Sequence, residues 1–212
     1  MKTNLLSCFI LSFFILSFSS CNPKKAIEDK ISETIAEKMA GTMLGTDVET
    51  SNLTNAENAK AEVDIKVDGK SITYKNAKPI FTIAKGNNED INCSLSLVEE
   101  GDNTTRTIQI GLLGQKNLFK TPLTANINTQ DEEGQVKASF SIVDFSESGM
   151  SAMMTKSGTI KVVSFSDEEV IFEIDAKGEE MNESKTPFSI TGKIVCKNPM
   201  ATYIGLKKEE IF

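Results

Sequence analysis

Four thiols are the most reactive groups in a chain that has no histidine: Cys8, Cys21, Cys93 and Cys196. A thiol attacks as its thiolate and needs a base or cation beside it. With no imidazole in the sequence, Ser-His-Asp triads, Cys-His dyads, His-ligated metals and imidazole proton shuttles are excluded. Carboxylates, thioethers and tyrosine hydroxyls remain. The clusters Asp131-Glu132-Glu133, Asp167-Glu168-Glu169 and Glu179-Glu180 offer oxygens to Ca²⁺. Each falls in an expected turn, where solvated charge is ordinary, and no Asp-x-Asp-x-Asp-Gly loop is present. A carboxylate pair for glycoside hydrolysis needs a fixed separation that spacing along the chain does not provide. Met150, Met153 and Met154 carry thioethers, which suit Cu(I). Without His, a nearby Cys or a Met-x-Met repeat, they read as packing or loop residues. Tyr74 and Tyr203 are the only tyrosines, too few to advertise a carbohydrate platform. No Gly-rich phosphate loop, G-x-S-x-G elbow or S-x-x-K element occurs. The sequence therefore points to a non-enzymatic protein with no catalytic residue, metal or cofactor.

Charge narrows the partners. Lys and Arg number 23 against 30 Asp and Glu, a formal −7. A nucleic-acid binder draws its affinity from an excess of basic residues, so nucleic acid is not expected as a partner. Apolar residues make up 39% of the chain, enough for a packed core rather than a disordered chain.

The amino terminus reads as an address. Lys2 supplies a positive start, and Leu5 to Phe18 is apolar apart from Ser7, Ser12 and Ser17. This is the layout of a secretory signal peptide over residues 1–20. The run is shorter than the roughly 20 apolar residues a spanning helix requires. Phe18-Ser19-Ser20-Cys21 resembles the lipobox of bacterial lipoproteins, with Phe18 where Leu is usual. The resemblance covers the first 21 residues. It implies that Cys21 is the lipid-attachment residue, that cleavage falls just before it, and that acyl chains on Cys21 hold the protein to a membrane. Two or three such chains anchor durably, because each buried CH₂ contributes about 0.8 kcal/mol. By the same resemblance, Asn22 in place of Asp favours the outer membrane, and Lys24-Lys25 favours a periplasm-facing position in the cell envelope. The plain alternative is a secreted chain cut after Ser19 and carrying no lipid.

The elements that follow fall into three parts. Over residues 21–45 the spacing predicts an amphipathic helix, which the lipobox resemblance implies is lipid-anchored through Cys21. Ile27, Ile31, Ile35, Met39 and Met43 recur every fourth residue, and Ala36, Ala40 and Leu44 widen the stripe. Asn22-Pro23 is a start signal and Gly45 a stop signal. The helix 26–44 either meets an envelope protein partner or packs on its own domain. Residues 46–60 show neither helical nor strand period and read as a linker.

From residue 61 to 212 the period becomes two. Val63, Ile65 and Val67 alternate with polar residues before the turn dipeptide Asp68-Gly69. Ile91, Cys93, Leu95 and Leu97 repeat the pattern, as do Ile108, Ile110 and Leu112, then Phe140 and Ile142, then Val170, Phe172, Ile174 and Ala176. Ser146 to Ser157 is read as irregular. The expected fold is mainly β, an antiparallel β-sandwich or barrel preceded by the one amphipathic helix.

Cys93 and Cys196 fall in phase with the apolar residues of their strands. They form either a disulfide or two buried free thiols. A bridge would close a loop of roughly a hundred residues, worth about 4–5 kcal/mol in the loop-entropy model. The functional expectation is a lipid-anchored envelope module that binds a partner or serves a structural role. The alternative is a carrier of a small apolar ligand in a cavity of the β-domain.

Overall fold

The structure is a computed structural model. It describes residues 48–51 and 58–211, apart from 75–76, 87–89, 101–103, 116–118, 128–133 and 147–148. The signal peptide expected over 1–20, Cys21, the helix expected over 26–44 and most of the expected linker 46–60 lie outside those residues.

Twelve strands follow one another: β1 (Val48–Ser51), β2 (Lys60–Val67), β3 (Lys70–Ile72), β4 (Lys78–Lys85), β5 (Asp90–Glu100), β6 (Thr104–Gln115), β7 (Leu123–Ile127), β8 (Lys137–Ser146), β9 (Gly149–Phe165), β10 (Glu169–Glu180), β11 (Pro187–Lys197) and β12 (Met200–Ile204). A 3-10 turn, Lys208–Glu210, ends the described chain. The mainly β expectation holds, and Asp68-Gly69 makes the β2–β3 hairpin with positive φ at both residues (49° and 76°). That geometry suits the right-handed twist of the strands it joins.

Two expectations need correction. The sheet is mixed rather than antiparallel, because β12 runs parallel to β4 and β7 touches β8 in parallel. The connection from β11 to β12 is only residues 198–199, so β12 joins β4 where the curl has brought that end of the sheet close to β11. Secondly, the described residues of the stretch 146–157 are strand rather than irregular. Residues 149–157 are the first half of β9, a 17-residue strand whose polar Ser, Thr and Lys residues obscure its period. A strand, β1, also falls inside the segment read as linker.

All twelve strands belong to one curled sheet, a half-barrel in the order β1-β12-β4-β5-β6-β8-β7-β9-β10-β11-β2-β3. The bend comes from the β9–β10–β11 region. Register shifts in the β9–β10 pair fall between Ile171 and Phe172 and between Lys177 and Gly178. Such irregularities raise local twist and turn the sheet inward. At Gly192 on β11, φ is 147°, and a Cβ there would collide with the carbonyl oxygen of Asp64 on β2. Glycine therefore lets two backbones approach where the sheet coils. The curl brings β2 back towards β4, and the Ala61 amide donates to the Ala77 carbonyl at 3.1 Å.

The inner face is the core. Ile65, Phe81, Leu95, Leu97, Ile108, Ile110, Leu112, Ile160, Phe172, Ile190 and Tyr203 are almost wholly buried. Opposite walls meet there. The Phe81 ring on β4 lies 6.2 Å from Phe165 on β9, edge-on, and 6.4 Å from Phe172 on β10, stacked. Four strands separate β4 from β9 in the sheet order, so these rings touch across the interior rather than along the sheet. At the carboxyl end, Lys208 Nζ pairs with Asp167 Oδ2 in the β9–β10 turn and ties the last turn to the sheet. Both side chains are about one-third exposed, so solvent screening keeps the pair's contribution small.

Replacing Gly192 with alanine forces both a positive φ on an L-residue and a backbone collision. A denaturant titration should show a loss of at least about 2 kcal/mol. A loss below about 0.5 kcal/mol would contradict the close β11–β2 approach.

Candidate functional site

The same period that builds the core carries three charged residues onto its rim. On β6, Ile108, Ile110 and Leu112 face inward, so Arg106 shares their side. On β5, Glu99 continues the phase of Leu95 and Leu97, and on β8, Asp144 continues that of Phe140 and Ile142. Register then aligns them. Glu99 is paired with Arg106 across β5–β6, and Arg106 with Asp144 across β6–β8. The result is a carboxylate–guanidinium–carboxylate row at one end of the inner face.

Arg106 Nε donates to Asp144 Oδ1 at 2.8 Å. Its Cζ lies 5.5 Å from the centroid of the Tyr74 ring, a cation–π contact that covers the aromatic face. The hydrogen bond to Asp144 is the largest influence on Arg106 and holds its pKa above the ordinary value, against a smaller opposing effect of burial. Tyr74 comes from the connection between β3 and β4 and is 7% exposed. Its hydroxyl is buried and has no hydrogen-bond partner among the described residues. Burial drives its pKa well up, Arg106 partly offsets that, and Asp144 and Glu99 add to the rise. The hydroxyl is therefore a neutral donor and acceptor. The Nε of Arg106 is committed to Asp144. The Arg106 and Asp144 side chains are 38% and 39% exposed, within reach of solvent.

This arrangement can orient a polar molecule. It contains no nucleophile next to a base. Two carboxylates against one guanidinium leave the row negative, which favours a neutral hydroxylated or cationic group over an anion.

The thiols are placed apart. Cys93 stands on β5 and Cys196 on β11, and both are buried free thiols. The disulfide considered for them is not formed. Burial pushes each thiol up to about 12. Cys21 lies outside the described residues. Among the described residues no group of three or more Cys, Asp or Glu is placed to hold a metal ion. Asp167 is paired with Lys208, Glu180 accepts from Asn182 Nδ2 at 2.5 Å, and Asp131-Glu132-Glu133 lies outside the described residues.

Of the sequence-level candidates, Tyr74 belongs to this site and Tyr203 is a core residue of β12. Glu99, Arg106 and Asp144 were missed. Extending each strand's period by two residues would have placed them on the core face, but only the register brings them together. No known protein family, curated protein or solved structure matches the chain.

A thiol held near 12 is almost entirely protonated at neutral pH and inert. Ellman's reagent should label neither Cys93 nor Cys196 in the folded protein and both after denaturation. Because the folded pKa is raised, the stability the thiols contribute is complete below their ordinary value of 9.0 and is lost as pH rises towards 12. Rapid labelling at pH 8 under native conditions would contradict the burial.

Proposed function

We propose that this chain is a lipid-anchored module of the bacterial cell envelope that recognises a polar group at the rim of its curled sheet and catalyses no reaction. The row Glu99–Arg106–Asp144 beneath Tyr74 carries the recognition part of the reading. Charged side chains directed to a core face are costly unless they are satisfied. This row gathers a guanidinium and two carboxylates at a solvent-accessible rim, the kind of convergent polar groups that fix a ligand's orientation.

The anchor rests on the leader and on the resemblance of Phe18-Ser19-Ser20-Cys21 to a lipobox. Cleavage before Cys21 removes Lys2 and no acid, so the mature chain is more acidic than the full one. That charge is repelled by anionic lipid, which leaves the acyl chains on Cys21 as the tether and the β-domain clear of the surface. The periodic segment 26–44 then forms a helix next to the membrane, available to an envelope protein. By the lipobox resemblance, Asn22 favours the outer membrane and Lys24-Lys25 the periplasmic side. What argues for a rim-binding module over a carrier of apolar ligands is the contact of Phe81 with Phe165 and Phe172, which fills the interior at that level.

The anchor is tested by replacing Cys21 with alanine and fractionating the cells. The unaltered chain should sediment with membranes and carry the added mass of acyl chains on Cys21, and the variant should lose both. An intact leader, or an unmodified Cys21 on soluble protein, would overturn the assignment.

A further inference from the structure

Sulfur is distributed unevenly between the two faces of the β8–β9 hairpin. Ile142, a core residue, pairs with Met153, which packs on the core from the inner face. Phe145 pairs with Met150, and alternation puts that pair on the outer face. Across β9, Glu180 pairs with Met153, and one residue further the Met181 amide donates to the Ala152 carbonyl at 2.7 Å. Met181 therefore lies just past the end of β10, beside the hairpin. Met150 is 55% and Met181 is 63% exposed, whereas Met153, Met154 and Met200 are half-buried. The thiols stand at the other extreme, with Cys93 at 2% and Cys196 at 0% exposure.

A thioether is oxidised wherever a small oxidant can reach it, and the susceptibility of sulfur follows exposure. A thiolate would compete, but both described thiols are buried and protonated, so neither is open to attack. Packing does not account for Met150 and Met181. Each leaves more than half its surface in water, so burial contributes little at either position. Polarity does not account for them either, since a thioether offers solvent only a weak acceptor. What methionine brings to such a position is a reactive sulfur.

We propose that Met150 and Met181 are sites of reversible oxidation, at which the domain consumes an oxidant of the hypochlorous acid class and keeps its fold. The sulfur lone pair attacks chlorine, so an S–Cl bond forms as the Cl–O bond breaks and hydroxide leaves. Water then forms the S–O bond as chloride departs. Sulfur loses two electrons and chlorine gains two, and the net products are the sulfoxide, chloride and one proton. A sulfoxide is polar and chiral and disrupts a core. At these two positions the new oxygen meets water instead. On Met150 it turns the pair with Phe145, which is 40% exposed, from apolar to polar and leaves the inner face untouched. Methionine sulfoxide reductases restore the thioether, one enzyme for each epimer. The sites are independent of the rim row, whose residues take no part.

The test uses the full chain carrying Cys8→Ala and Cys21→Ala, so that Cys93 and Cys196 are its remaining thiols. The folded protein is treated with a limiting amount of hypochlorous acid, quenched, digested and mapped by mass spectrometry. Sulfoxide should be at least about fivefold more abundant at Met150 and at Met181 than at Met153, Met154 or Met200. Cys93 and Cys196 should remain thiols, and sulfoxide reductases should return the protein to its starting mass. In urea these methionines should react alike, which ties the selectivity to the fold. Met150→Gln and Met181→Gln, polar stand-ins for the sulfoxide, should leave the denaturation midpoint where it is, and Met153→Gln should lower it. An even spread of sulfoxide over the folded chain, oxidation of either buried thiol, or a lowered midpoint for Met150→Gln or Met181→Gln would overturn the proposal.

Discussion

The contact of Phe81 with Phe165 and Phe172 is the interaction on which the rest of the molecule depends. A single curled sheet has no second layer of its own, and its apolar face must find cover. Here the two walls of one sheet supply it for each other, ring against ring, at centroid distances of 6.2 and 6.4 Å. Each such pair adds about 0.5–1.5 kcal/mol beyond the area it buries. The contact requires the curl. The curl requires the register shifts in the β9–β10 pair and the close backbone approach at Gly192.

With the interior filled at the level of these rings, the chemistry moves to the margins. Charged residues that continue the inward phase past the last apolar position come to rest on the rim, where Arg106 and Asp144 still reach water. The thiols, lying deeper, are silenced by burial. The outer face carries exposed methionines that the core has no use for. One alternation thus sorts the side chains: packing inside, charged residues at the rim, and exposed thioethers outside.

Much of this was legible in the sequence, and its limits are physical. Period two revealed β5, β6, β8 and β10 because their buried residues are Ile, Leu, Val and Phe against Ser, Thr and Glu. It failed over the first half of β9, where Met and Ala alternate weakly with Ser and Lys and much of the strand is exposed. Asp68-Gly69 announced its hairpin through turn chemistry that is local. Nothing local encodes the parallel pairing of β12 with β4, nor the alignment of Glu99, Arg106 and Asp144, because register is a property of two strands. For the same reason Met150 and Met154 could be seen in the chain, but their neighbour Met181 could not.

The most direct test of the account is a double-mutant cycle between Phe81 and Phe172, with each replaced by leucine and unfolding free energies measured in denaturant. Rings in contact across the interior should couple by about 0.5–1.5 kcal/mol. Additive losses with no coupling would mean that the walls of the sheet do not meet, and the filled interior would have to be abandoned.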